Sequence, residues 1–198
     1  MDFPDDERLA GQLAFLAELD GLKHVLRRNL VMDESRRENS VEHSWHAAMM
    51  ALVLGEHAPR GADAARAARM LMLHDVIEID AGDTFCYDAA GMAAKDEQER
   101  LAAERLFGML PADQAEAFRA LWEEFEAGES PDARYAQALD RLHTLIQNAR
   151  TRGGTWRLYD VPREAVMRRM DPVRTALPDL WPVVLQAVEQ AREQGWLK

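Results

Sequence analysis

The sequence predicts an all-α fold, one compact helical bundle of about eight helices. Three observations carry this. Apolar residues recur at intervals of three and four in almost every periodic segment. Capping residues and prolines open these segments, and glycines close them. No segment shows the strict alternation of a half-buried strand. No repeat, low-complexity tract or shift in composition marks a second domain, so residues 1–198 read as a single domain.

The elements follow in order. From about Arg8 to Arg28, Leu9, Leu13, Leu16, Leu19, Leu22 and Leu26 share one helical face. Asn29–Asn39 mixes polar and basic residues and reads as a loop. Ser40 is an N-cap for a helix through His43 and Met50 to about Glu56. Pro59-Arg60-Gly61 breaks the chain, and Asp63 caps a helix that runs into Met70–Asp83. Thr84–Gly91 reads as a loop, with helix again from about Ala94 to Met109. Pro111 opens a helix that Gly128 ends, and Ser130-Pro131 starts the next. That helix carries Tyr135, Leu139, Leu142 and Ile146 on one stripe and stops at Gly153-Gly154. Pro162 opens a short helix to about Met170, and a last one runs from near Pro182 to Gln194. Val183, Val184, Ala187 and Val188 on this last helix suit ordinary core or a subunit interface equally well.

Composition narrows the function. The chain has 198 residues, 47% of them hydrophobic, enough for a substantial core. A net charge of −11 disfavours duplex nucleic acid and anionic membranes as partners. Cys86 is the only cysteine, which excludes an intrachain disulfide and a cysteine-based zinc site and fits a reducing cytoplasm. The longest apolar run, Ala47–Leu54, falls far short of the roughly 18–20 residues that span a bilayer. The expectation is a soluble, cytoplasmic protein.

The informative stretch is Met70–Asp83. An apolar run, read as the interior of a buried helix, receives His74, Asp75 and Glu78. Burying ionised carboxylates costs several kcal/mol unless each has a partner, and a bound cation is a ready one. Glu78 lies three residues after Asp75, so both project from nearly one helical face. The alternative is a helix end with polar residues facing solvent. A divalent ion needs further ligands. His43 lies near the start of its helix, and Asp140 interrupts the otherwise apolar segment Ala138–Leu142. Together His43, His74, Asp75 and Asp140 offer two nitrogens and at least two oxygens. That donor set suits Mn, Fe, Co, Ni, Zn or Mg without choosing among them.

The order His43, His74-Asp75, Asp140 resembles the H…HD…D signature of the HD-domain metal-dependent phosphohydrolases. The likeness extends to Leu22-Lys23 with Arg27, to Glu42-His43-Ser44, to the HDxxExxxGD run from His74 to Asp83, and to Leu121–Glu126. These features are similar to the small 5′-deoxynucleotidase group, over about residues 13–148. The resemblance implies one divalent metal held by His43, His74, Asp75 and Asp140. It implies Glu78 as general acid/base carboxylate, and Asp83 as a second acidic group acting on water, leaving oxygen or sugar. Arg27 matches a phosphate-binding arginine, and Lys95 falls at a basic position in the next helix. The reaction implied is hydrolysis of (deoxy)nucleoside 5′-monophosphates to nucleoside and phosphate by metal-activated water. Other HD reactions, on a nucleoside triphosphate or an alarmone, and a noncatalytic metal- or nucleotide-binding module are the alternatives. A homodimer is the family-level expectation.

One departure concerns the sugar. Deoxyribose-selective members can carry a bulky aromatic beside the phosphate-binding arginine, whereas this sequence has Arg28 there and Leu30 nearby. Strictness for 2′-deoxyribose is therefore left open. His46 and His143 read as hydrogen-bonded core or supporting histidines. Trp45, Trp122 and Trp181 read as core, Glu123–Glu126 as a solvated face, and Cys86 as structural.

Overall fold

The computed structural model describes residues 6–83 and 89–198, the side chains of 89–95 excepted. The first helix, α1 (Glu7–Glu18), is started by the Asp6 carboxylate, which accepts from the N–H groups of Arg8 and Leu9. It does not continue to Arg28. A 3₁₀ turn over Leu19–His24 follows, then strand β1 (Leu26–Leu30). The leucine stripe is accordingly not one buried face. Leu9, Leu16 and Leu26 are exposed, while Phe15 and Leu22 are buried.

The expected loop is a hairpin. β1 pairs antiparallel with β2 (Arg37–Asn39), Leu26 opposite Asn39 and Leu30 opposite Arg37, with extra residues bulged out of β1 between them. Asp33 shapes the turn by accepting from the Ser35 N–H and hydroxyl. Along β1, Leu26 and Arg28 are exposed while Asn29 is buried and Arg27 largely so. The inward residues are the polar ones, so an apolar-in pattern could not reveal this strand.

Asn39, not Ser40, caps α2 (Ser40–Val53), in a reciprocal box with Glu42. Asp63 caps α3 (Ala64–Leu73), as expected. Helix α3 ends at Leu73 rather than running through the polar stretch. From Leu73 to Asp80 the chain closes i to i−3 bonds, Val76 N–H to Leu73 O (3.1 Å) and Glu78 N–H to Asp75 O (3.0 Å) among them. At three residues per turn, Asp75 and Glu78 stand one above the other. Then α4 (Glu78–Ala81) ends at Gly82, whose φ of 74° is left-handed territory.

The expected Thr84–Gly91 loop and Cys86 lie partly or wholly outside the described residues. Helix α5 (Ala89–Phe107) starts earlier than the sequence implied, and α6 (Ala112–Ala127) ends on Gly128 at φ 64°. Ser130 caps α7 (Pro131–Arg150), with Pro131 in its first turn. Short helices α8 (Gly154–Leu158), α9 (Arg163–Arg169) and α10 (Asp171–Ala176) precede α11 (Trp181–Glu193). Eleven α-helices among the described residues exceed the expected eight because α4, α8 and α10 are too short to show periodicity. None is long and apolar enough to cross a membrane.

Two apolar clusters fill the interior. One joins α2, α3 and α7 to the C-terminal helices through Ala51, Leu71, Tyr135, Leu139, Val173 and Val184. The other packs Phe15, Leu22, Leu73, Ile77, Phe107 and Trp122. Leu71 belongs to the first and Leu73 to the second, so His74 and Asp75 follow directly on the passage between them. Val184 and Val188 are spent on the first cluster, which leaves them no part in a subunit interface. Trp122 is core, but Trp45 is 59% exposed. Glu124 is not merely solvated: it takes both guanidinium nitrogens of Arg66 at 2.6 Å and ties α6 to α3.

These burials predict a contrast. Leu139→Ala should lower the unfolding free energy by about 2–5 kcal/mol, as transfer and cavity terms add. Leu16→Ala, on the supposed stripe, should change it by less than about 0.5 kcal/mol. Denaturant titration of both variants checks the pair.

Candidate metal centre

Helix α2 brings in His43, the tightened turn after α3 brings His74 and Asp75, and α7 brings Asp140. His43 and His74 are buried, and Asp75 is 7% exposed. Donor atoms of His43, His74 and Asp75 lie within 4.8 Å of one another. His43 Nε2 is 3.0 Å from Asp140 Oδ1 and 3.9 Å from Asp75 Oδ2. His74 Nε2 is 3.0 Å from Asp75 Oδ1. The fourth expected residue, Asp140, thus reaches the group through His43.

The ring orientations suit a cation. His74 Nδ1 donates to the Leu71 carbonyl at 2.8 Å and so points Nε2 at Asp75 Oδ1, the proton between them being the one that a cation would displace. The Phe125 ring packs against His74 at a tilt of 56°, centroids 4.9 Å apart. His43 Nδ1 lies 2.9 Å from His143 Nδ1, so its Nε2 also faces the cluster. Two imidazole nitrogens and two carboxylates converge with their outer sides held. This donor set fits a hard or borderline divalent ion.

Electrostatics agree. Burial alone would lower the His74 pKa, but the Asp75 carboxylate beside it raises it to about 9. Burial opposes ionisation of Asp75, yet His74 and Arg27 hold its pKa below the ordinary carboxylate range. Asp140 is likewise driven well down, burial being overcome by its hydrogen bond with His43. Two carboxylates kept ionised in a buried site favour a cation. Burial lowers the pKa of His43, which favours the neutral imidazole that ligation needs.

Glu78 stands next to this group. Burial, then repulsion from Asp75, pushes its carboxyl up to about 8. The buried Ser40 hydroxyl donates to Glu78 Oε2 at 2.6 Å and fixes its direction. Arg27, on β1, puts Nη1 2.9 Å from Asp75 Oδ2. Arg28, its neighbour, is exposed. Asp83 is partly buried just past α4, close enough for its charge to act on Glu78 and Arg27. The side chain of Lys95 lies outside the described residues. His46 does not join the cluster; its ring packs at a tilt against His143, centroids 4.3 Å apart.

Sequence reasoning missed two participants. By pattern alone Ser40 reads as a cap, and Glu38 as part of a loop. Glu38 is 3% exposed, and its carboxylate lies 3.8 Å from Arg27 Nε and 3.7 Å from His43 Nδ1. Burial raises its pKa to about 7. An acidic residue two before the N-terminus of a histidine-bearing helix was the available signal, but only the hairpin turns it inward.

Comparison with known proteins agrees with this geometry. The HD domain family profile matches residues 19–181. The chain is 31% identical over 137 residues to the bovine (Bos taurus) protein named 5′-deoxynucleotidase HDDC2, covering 68% of this chain and 65% of that one. It thus spans a little under two thirds of that relative's length. The human (Homo sapiens) protein of the same name is 29% identical over 136 residues, 68% of this chain and 65% of its own. A crystal structure described as a predicted metal-dependent phosphohydrolase from Magnetospirillum magnetotacticum MS-1 superposes with a TM-score of 0.94, at 47% identity and 99% coverage of both chains. A conserved hypothetical protein from Pyrococcus furiosus shares the fold, with a TM-score of 0.64 at 18% identity, over 91% of this chain and 99% of that one. With its helical fold and the clustered His43, His74, Asp75 and Asp140, the chain belongs to the HD domain family.

Proposed function

We propose that this protein is a metal-dependent phosphomonoesterase that hydrolyses (deoxy)nucleoside 5′-monophosphates to nucleoside and phosphate. The observation that carries the reading is the buried convergence of His43, His74, Asp75 and Asp140 with a largely uncharged carboxyl, Glu78, alongside. The names of the bovine and human relatives supply the substrate class. In this reading the whole chain is one HD domain, acting as a homodimer in the cytoplasm.

His43, His74, Asp75 and Asp140 hold the cation. Once bound, a divalent ion there supplies a lowered pKa for water and polarisation of a phosphoryl oxygen. The protein's own groups do the rest. Arg27 receives the phosphate, its guanidinium held ready by Asp75. Glu78, aimed by Ser40, exchanges a proton with the attacking water or the leaving 5′-oxygen. A carboxyl with a pKa near 8 can do either close to neutral pH. Asp83 orients water, leaving group or sugar, and Lys95 is a further contact to phosphate. Arg28 stands where deoxyribose-selective members can carry a bulky aromatic, and its exposure supports tolerance of a 2′-hydroxyl.

Phosphate release from ribo- and deoxyribonucleoside 5′-monophosphates, after chelation and add-back of single metals, tests this. The stripped protein should be inactive and one or more divalent ions should restore it. Asp75→Ala should lose metal and activity together. Glu78→Gln should keep metal and lose about 10²–10⁴-fold in kcat. Arg27→Lys should raise KM about tenfold, since an ammonium cannot make the two-pronged contact. Restored metal without monophosphate cleavage would overturn the substrate class and leave triphosphates and alarmones to assay.

The Glu78 carboxyl also sets a stability trend. Native Glu78 keeps its proton to about 8, against an ordinary 4.5 when unfolded, so its contribution to stability is lost as pH rises between those values. Glutamine has no proton to lose. Metal-free Glu78→Gln should therefore be more stable than wild type at pH 8, and denaturant curves should show the gap narrowing toward pH 4.5.

A further inference from the structure

Behind His43 lies a second buried group that the proposed reaction does not use. His143, on α7, is fully buried, with Nδ1 2.9 Å from His43 Nδ1. Its other nitrogen, Nε2, is 3.8 Å from Glu38 Oε1 and has no hydrogen-bond partner. Glu38 Oε2 is also buried and unsatisfied, and so is Arg27 Nε, 3.8 Å from it. Buried polar atoms are seldom left unpaired, so three on neighbouring side chains call for a reason beyond packing.

The proton count between the two rings supplies it. Two imidazole nitrogens 2.9 Å apart share one proton, and one ring must donate while the other accepts. His43 turns Nε2 toward Asp140 and Asp75. Without a cation, Nε2–H donates to the Asp140 carboxylate; with one bound there, a neutral imidazole that offers it the Nε2 lone pair must carry its proton on Nδ1. His143 must then accept at Nδ1 and hold its own proton on Nε2, which faces Glu38. In the cation-bound state one tautomer is consistent along the line, whose last step, to Glu38, spans 3.8 Å. We infer that His143 and Glu38 are positioning residues, a relay that fixes the tautomer and ring angle of His43 for cation binding. The inference rests on the metal-centre reading above. Through Arg27, Glu38 would link the cation's histidine to the phosphate-binding guanidinium, joining the two halves of the site.

Co²⁺ binding tests the relay without reference to turnover. Its visible absorption reports ligand geometry, and competition with a chelator gives affinity. His143→Phe keeps a ring of similar bulk but removes the acceptor. It should weaken Co²⁺ binding about 10–100-fold and alter the spectrum. His143→Asn, whose side-chain oxygen can take the place of Nδ1, should restore affinity to within about threefold of wild type. Unchanged affinity in folded His143→Phe, in a wild type that binds one Co²⁺, would overturn the relay and leave the metal centre standing. A wild type that binds no Co²⁺ would overturn the metal centre and the relay with it. Should His143→Phe not fold, histidine ¹⁵N spectra of the zinc-loaded wild type decide. His43 protonated on Nδ1 and His143 on Nε2 support the relay; the proton of His143 on Nδ1 overturns it.

Discussion

Everything around the site answers one constraint: Asp75 and Asp140 are ionised where little water reaches them. A lone buried carboxylate would take up a proton or expel its segment toward solvent. Here each is surrounded. His74 and Arg27 flank Asp75, and His43 meets Asp140. Those partners are in turn held by the Leu71 carbonyl, the Phe125 ring and His143. The hairpin exists in this form because Arg27 and Glu38 must reach inward from it. The tightened turn after α3 keeps Asp75 and Glu78 on one side. Replacing such charges with apolar residues commonly stabilises a fold, so their retention points to use rather than to stability.

Much of this was readable from sequence, and the parts that were not share a cause. Helices with strong signals, such as α7 with Ser130, Pro131 and its Tyr135–Leu139–Leu142 stripe, are where the pattern puts them. Asp63 and Gly128 punctuate as their chemistry requires. The four candidate ligands come together across nearly 100 residues of chain, which no local pattern could show; family likeness did. Failures gather at the site. β1 hides because its inward residues are Arg27 and Asn29, so the usual alternation is inverted. The helix before His74 ends at Leu73, sooner than the pattern implies, because apolar spacing cannot distinguish 3.6 residues per turn from three across so short a run. The leucine periodicity before it overran a real boundary because leucine also serves on exposed faces.

The proposed chemistry divides between elements of different character. The metal-facing groups sit on α2 and α7, packed into the larger cluster, and on the turn after α3, whose Leu73, Val76 and Ile77 belong to the smaller one. The phosphate-facing Arg27 sits on a two-stranded ribbon, a kind of element that is marginal alone and depends on what it packs against. Glu38 touches both sets. Rigid placement of the cation and adaptable placement of the anion site would suit an enzyme whose substrates vary in base but share a phosphate.

The passage from Leu71 to Leu73 has a consequence for the whole chain. The chain passes there from one apolar cluster to the other, and the buried polar pair His74 and Asp75 follows at once. An ion drawn to His43, His74, Asp75 and Asp140 would act as a rivet between helices of one cluster and the turn entering the other. Such a ligand adds stability by mass action, in proportion to the logarithm of its concentration over its dissociation constant. Cohesion of the two clusters would then track the ion supply of the protein's surroundings, and scarcity would be felt as loosened architecture as well as idle chemistry.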